Sequence, residues 1–253
     1  CKKSVRLVEL SVPAQEREGG SALLGCQYDT EGEPLYSVKW YKDDHEFYRY
    51  VPKNQPQIFR TFERPGVHVD MSRSSDTVVA LENLTNDSQG IYTCEVSGEA
   101  PNFTTVKSQK RIKIHLLPES GPLVSGIQKR YFLDEKVLIN CTSAPSRPTA
   151  QLKWLINGQP VPQSYLQGPW ERIPATRPDA VETILQLKFI VEPKHFVDGA
   201  MHLECQATIA PLYQRETKST HFLALPFTMT EKPSFDVDEY SNTGEQVSIF
   251  NQL

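Results

Sequence analysis

The sequence predicts an all-β chain: two domains in tandem, each made of two facing sheets pinned by one disulfide. Three observations predict it. The stretch from Asp87 to Cys94 reads as a turn running into a strand, with Tyr92 two residues before Cys94. Upstream of it, Cys26 is followed at strand distance by Trp40. The order Cys, Trp, Cys then recurs as Cys141, Trp154 and Cys205. A buried Trp beside an inter-sheet Cys pair, with a Tyr whose hydroxyl ties down the corner before the second Cys, marks an immunoglobulin-like β-sandwich. The chain therefore reads as two tandem immunoglobulin-like β-sandwiches, the first variable-type and the second constant-like.

Length agrees, since 253 residues hold two ordinary domains. Their expected bounds are 1–117 for the first, 118–122 (PESGP) for a short linker and 123–226 for the second. From 227 to 253 alternation stops, and Ser, Asp, Glu, Asn and Thr take over, as in a disordered tail. Pro (19) outnumbers Gly (13), which suits short strands and turns better than helices. The net charge of −4 is spread along the chain and points to neither nucleic acid nor a polybasic membrane anchor. No apolar run is long enough to span a bilayer, and the sequence is read as starting after a cleaved leader and stopping before any anchor. Pairs Cys26–Cys94 and Cys141–Cys205 imply an oxidising compartment, and closing either loop is worth about 4 kcal/mol in the chain-entropy model. Sequons at Asn83, Asn86, Asn102 and Asn140 agree, and strand alternation turns Asn140 outward beside Cys141. The expected location is extracellular, secreted or at the cell surface. Cys1 has no partner in this scheme.

In the first domain, Val5, Leu7, Leu10 and Val12 form an apolar strand broken by Pro13, which fits an edge strand that changes sheets. ALLGC is strand B, with Ala22, Leu24 and Cys26 inward. YSVKWYK is strand C: Val38 and Trp40 face the core, so Ser37, Lys39 and Tyr41 face out. The stretch 43–73 leaves room for C′ and C″ strands, the variable-type signature. TVVAL supplies strand E, and KRIKIHL strand G with Ile112, Ile114 and Leu116 inward. Ser88 stands where such domains usually carry an Asp, with Asp87 one position early, which puts the usual ion pair to an Arg near strand D in question. In the second domain KVLINC, QLKWLI, TILQLKF, MHLEC and THFLAL read as strands B, C, E, F and G, with a hairpin turn at Asn157-Gly158. Leu203 occupies the place of the corner Tyr.

No chemistry of catalysis stands out. His45-Glu46 opens like a zinc-protease motif, but Arg49 stands where the second His belongs, and the context is not helical. No Cys pair has metal-ligand spacing, and neither a nucleophile elbow nor a phosphate loop is present. Neither enzyme activity, metal nor cofactor is expected. The aromatic stretch KWYKDDHEFYRYVP is the anomaly. Its candidates for partner contact are Lys39, Tyr41, Phe47, Tyr48, Arg49 and Tyr50, although alternate members of Phe47 to Tyr50 must line the core and the phase is open. Glu95 and Ser97 on strand F, with Arg111 and Lys113 on strand G, face the same side as Tyr41. Tyr and Arg are enriched in interface hot spots. The alternative for this face is plain solvation. Lys107, Lys110, Arg111 and Lys113 make strand G basic, so heparan sulfate is a second candidate partner.

The string LLGCQYDTEGEPLYSVKWYKDDHEFYRYVP, then CEVSGEAPNF and, in the second domain, CTSAPSRPTAQLKWLING, closely resembles the Beaten path proteins of insects, over roughly 5–225. The resemblance implies a two-domain protein, secreted or held at the surface of neurons. It further implies heterophilic binding to an immunoglobulin-superfamily partner of the Sidestep family during axon guidance or synaptic partner choice, with the C–C′–F–G face of the first domain as the contact.

Overall fold

The structure is a computed structural model, and it describes residues 4–101 and 103–224. Cys1, Asn102 and the tail expected at 227–253 lie outside the described residues. The first domain comprises β1 (Arg6–Ser11), β2 (Gln15–Arg17), β3 (Ala22–Asp29), β4 (Leu35–Lys42), β5 (His45–Tyr50), β6 (Phe59–Thr61), β7 (Val69–Asp70), β8 (Val78–Leu81), β9 (Gly90–Gly98) and β10 (Thr105–His115). One sheet runs β1-β3-β8-β7 and the other β2-β10-β9-β4-β5-β6. The edge segment does change sheets: β1 pairs with β3 and, past Pro13, β2 runs parallel to β10.

Alternation explains why the sheets close on each other. Ala22, Leu24 and Cys26 from β3 meet Val38 and Trp40 from β4, Tyr92, Cys94 and Val96 from β9, and Ile112 and Ile114 from β10 in one buried cluster. The Cys26–Cys94 bridge spans Cα atoms 6.4 Å apart across that cluster. The corner is closed as its sequence implies, with the Tyr92 hydroxyl donating to the Ser88 carbonyl at 2.7 Å. Ser88 substitutes a neutral bond for the missing ion pair. Its hydroxyl donates to the Gly66 carbonyl at 2.6 Å and accepts from the Thr85 amide at 2.8 Å. Arg64, two residues before Gly66, is left with a buried Nε that has no partner.

The second domain comprises β11 (Leu123–Ser125), β12 (Arg130–Tyr131), β13 (Lys136–Thr142), β14 (Gln151–Ile156), β15 (Gln159–Pro160), β16 (Leu166–Arg172), β17 (Glu182–Ile190), β18 (Ala200–Ile209) and β19 (Tyr213–Leu223). Its sheets run β11-β13-β17-β16 and β12-β19-β18-β14-β15. Trp154 is buried against the Cys141–Cys205 bridge, and its indole N–H donates to the Leu185 carbonyl at 3.0 Å. Asn157 and Gly158 both take positive φ, 51° and 76°, which the two-residue turn between β14 and β15 requires. Leu203 is buried without offering a corner hydroxyl.

The two domains meet at a short, bonded junction. Leu116, expected in the core, is half-buried there instead and exchanges backbone bonds of 2.8 and 2.9 Å with Arg147 of the second domain. It lies past the last strand residue of β10, where the first sandwich ends. The Arg147 guanidinium bridges Glu18 at 3.0 Å and Asp179 at 3.1 Å, joining the domains by charge as well. The Tyr213 hydroxyl donates to the Ser120 carbonyl at 2.7 Å, so the connector is held on both sides.

Candidate functional site

The outer face of the six-stranded sheet is organised by register. Arg60 on β6 lies opposite Arg49 on β5, Arg49 opposite Lys39 on β4, Lys39 opposite Glu95 on β9, and Glu95 opposite Lys107 on β10. At the usual strand spacing this single row of charges spans roughly 19 Å. The next row carries Glu46, Tyr41, Thr93 and Gln109.

Glu95 is the centre of the arrangement. It faces outward as alternation requires, yet it is only 7% exposed because its neighbours cover it. Lys107 Nζ approaches its carboxylate at 2.6 Å and Lys39 Nζ at 3.6 Å. The Tyr41 hydroxyl donates to it at 3.4 Å. Burial alone would raise the Glu95 carboxyl; Lys107 and Lys39 outweigh burial and hold it below the ordinary carboxylate range. The same burial, followed by the charges of Glu95 and Glu46, pushes the Tyr41 hydroxyl up to about 12. Lys107 also stands 5.6 Å from the Tyr41 ring centroid, a cation–π contact. Tyr41 is thus a half-buried ring held by Glu95 at its hydroxyl and by Lys107 at its face, and an ordered side chain loses little entropy on binding. Beside it lies a shallow depression of about 380 Å³ lined by Tyr41, Asp44, Thr93, Lys107, Ser108 and Gln109.

Towards β6 the face is an arginine–aromatic stack. Arg49 forks onto Glu46 through Nε and Nη2, at 2.5 and 2.8 Å. Its guanidinium carbon lies 5.4 Å from the Phe62 ring centroid, with that of Arg60 at 5.0 Å from the same ring. Tyr50 packs on Phe59 at 4.9 Å, half-buried at the rim of the core.

Two candidates expected on this face are in the core. Phe47 and Tyr48 are both fully buried. Phe47 meets Tyr92 edge-on at 5.8 Å, while the Tyr48 hydroxyl donates to the Ser75 carbonyl at 2.8 Å. The cause is a β-bulge: Trp40 pairs with Tyr48 and Tyr41 with Glu46, so Phe47 is the extra residue and the two consecutive rings both turn inward. A second irregularity between Leu35 and Ser37 buries Ser37 and exposes Tyr36. Tyr36, Arg60 and Phe62 were not legible as candidates, since bulges and the β5–β6 register leave no mark in a period-two pattern.

Ser97 is half-buried and its hydroxyl meets that of Thr105 at 3.0 Å. On β10, Arg111 and Lys113 are exposed on the outer face, as expected. The four basic residues of this strand do not act together, because Lys107 is engaged by Glu95 and Lys110 has the opposite strand parity. Asn83 is exposed and Asn86 half-buried, both between β8 and β9; Asn140 is half-buried on β13. Among the described residues no three His, Cys, Asp or Glu converge as around a metal ion, and no helix is long and apolar enough to cross a membrane.

Two sheets in the orders β1-β3-β8-β7 and β2-β10-β9-β4-β5-β6, then a second sandwich joined to the first, define a class: tandem immunoglobulin domains. Comparison with known proteins narrows it. The model of the immunoglobulin V-set domain matches residues 10–117, and that of the CD80-like C2-set immunoglobulin domain matches 118–193. Among curated proteins, Cell adhesion molecule 3 of Xenopus laevis is 24% identical over 54% of this chain and 31% of its own length. Cell surface A33 antigen of Mus musculus is 28% identical over 54% of this chain and 41% of its own. The chain thus matches less than half of each relative's length. Among solved structures, murine CEACAM1b superposes with a TM-score of 0.56 at 17% identity, over 85% of this chain and all of its own; that likeness concerns fold alone. The chain therefore carries two immunoglobulin domains in tandem, a V-set domain followed by a C2-set one.

Proposed function

We propose that this protein recognises a second cell-surface immunoglobulin-superfamily protein through the outer β6-β5-β4-β9-β10 face of its first domain. The observation that carries the reading is the row of side chains across five strands, with the fixed Tyr41 ring beside a shallow depression. A flat sheet face with an ordered aromatic anchor suits a contact of roughly 800 Å² per partner. The resemblance to Beaten path proteins supplies the partner class: a Sidestep-like protein, bound heterophilically in axon guidance or synaptic partner choice. Sequons at the exposed Asn83 and the half-buried Asn86 and Asn140 fit an N-glycosylated ectodomain. Heparan sulfate is the weaker candidate, since Lys107 is neutralised by Glu95 and Lys110 points elsewhere.

The test is a binding screen of the secreted chain against a panel of cell-surface immunoglobulin ectodomains that includes Sidestep relatives. The expected result is one selective partner, lost on Tyr41→Ala but retained on Arg111→Glu with Lys113→Glu. Retention on heparin that the double charge reversal abolishes, with no protein partner, would overturn it.

A further inference from the structure

The outer face of the β11-β13-β17-β16 sheet in the second domain exposes four large apolar side chains among polar ones. Leu123 (70% exposed), Leu138 (49%), Trp170 (48%) and Ile190 (48%) all stand on it. Register explains how they gather. Leu123, Thr142, Ile184 and Trp170 form one row across all four strands. Beyond the next row, Leu138 on β13 lies opposite Lys188, and Ile190 on β17 opposite Lys136, all on the same side of the sheet. Large apolar side chains this exposed, gathered on one sheet face around a polar row, leave apolar area for something to cover.

The next row is Ser125, Asn140, Gln186 and Gln167. Asn140 therefore sits in a polar row between the exposed apolar side chains, flanked on its own strand by Leu138 on one side and Thr142 on the other. Asn140-Cys141-Thr142 is a sequon, with both its Asn and its Thr outward. Gln186 Nε2 donates to Asn140 Oδ1 at 2.9 Å, which engages the oxygen and leaves the nitrogen, the atom a glycan is joined to, free of the protein.

We propose that an N-linked glycan on Asn140 lies down over this face and is its cover, with the proximal N-acetylglucosamine residues packed on Leu138, Ile184 and the Trp170 ring. The proposal rests on reading Asn140 as glycosylated. From strand spacing and rise, the Asn140 and Trp170 Cα atoms are roughly 12 Å apart, within reach of the first two sugars. The apolar faces of the sugar rings and their acetyl methyl groups supply the complementary surface. A flat protein partner is disfavoured, since a branched glycan rooted at the centre would hold it off. The covalent step is the ordinary one of the secretory pathway. Asn140 Nδ2 attacks the anomeric carbon of a lipid-diphosphate-linked oligosaccharide, the anomeric C–O bond breaks, an amide proton is lost and the lipid diphosphate leaves. It must precede folding, because Asn140 lies between two paired strands and Cys141 is tied to Cys205. At roughly 5–20 residues per second of synthesis, Cys205 emerges some seconds later and leaves that interval open.

The experiment uses the full chain secreted from eukaryotic cells. Glycopeptide mass spectrometry first gives occupancy at Asn140; an empty site would sink the glycan reading itself and the cover with it. Where the site is filled, the acetyl-methyl proton signals of the proximal sugars are read by NMR. The expected result is an upfield ring-current shift that Trp170→Ala removes. Removing the sequon by Asn140→Gln, or by Thr142→Ala so that the Asn140–Gln186 bond survives, should raise binding of an apolar dye several-fold. Trp170→Ser added to either variant should reverse most of that rise. A filled site with sugar signals at free-glycan positions and no gain in dye binding would overturn the cover while leaving glycosylation intact. Self-association of the glycosylated protein that Trp170→Ser abolishes would overturn it too.

Discussion

Glu95→Gln is the perturbation most diagnostic of how the recognition face is held. The carboxylate is nearly buried and neutralises two lysines, one of them, Lys39, only 23% exposed in its side chain. Breaking a fully buried pair costs about 3–5 kcal/mol, an exposed pair about 0.2–1. Lys107 is more than half exposed, so its share is discounted, and a loss of about 1–2 kcal/mol follows for the mixed case. For a domain of this size that lowers Tm by roughly 5–10 °C. Linkage gives the sign with pH. The folded-state carboxyl titrates below the 4.5 of an unperturbed glutamate, so its contribution is present above 4.5 and is lost as pH falls through the lower folded value. Calorimetry of wild type and Glu95→Gln from neutral pH downwards should show a gap that is constant above about 4.5 and narrows progressively below it. Equal stability at neutral pH, or a gap that persists in acid, would refute the assignment of Glu95 as the charged keystone.

Three more outcomes are expected. Gly66→Ala should destabilise the first domain by at least about 3 kcal/mol, read by urea denaturation. Gly66 has φ +70°, and a Cβ there would stand 2.3 Å from the Asp87 carbonyl carbon and 2.4 Å from the Ser88 amide nitrogen. Arg147→Ala should leave each domain's unfolding within about 1 kcal/mol, yet give the two domains different NMR rotational correlation times. Unchanged tumbling would show that the Leu116–Arg147 backbone bonds alone fix the junction. The third outcome is the salt dependence of partner binding, argued last.

The frame was legible because it rests on covalent and periodic signals. Cys26, Trp40, Tyr92 and Cys94 each state a burial that the strand period then propagates, and the second domain repeats the logic with Cys141, Trp154 and Cys205. The face was only half legible. Tyr41 could be placed because Trp40, its neighbour, has a fixed phase. Phe47 and Tyr48 could not, since a bulge puts both in the core, and no residue type announces a bulge at a Glu-Phe-Tyr step. Glu95 was placed on the correct side, but its near-burial depends on Lys39 and Lys107 converging from two other strands. Phe62 gains its role from Arg49 and Arg60, which approach it only once β5 and β6 pair. Contacts made between strands by long side chains are invisible to a rule about one strand at a time.

The charge pattern also constrains how a partner would be held. Lys39 and Lys107 share the single charge of Glu95, and Arg49 is satisfied by Glu46, so the cations at the centre of the face are held within it, while Arg111 and Lys113 lie exposed towards one end. Charges held within the face in this way steer an approaching protein less than free ones, and at its centre they serve orientation and rejection of wrong partners. Affinity must then come from the ordered rings of Tyr41 and Phe62. Raising salt from about 50 to 500 mM should accordingly slow association by less than about tenfold, where strong steering would impose far more. Tyr41→Ala should act mainly on dissociation, raising Kd by roughly 30-fold or more if it is a hot spot. Surface plasmon resonance separates the two rates. A steep fall in association rate with salt, with dissociation unchanged by Tyr41→Ala, would mean that the exposed pair Arg111 and Lys113 leads the encounter and the aromatic anchor has been misassigned.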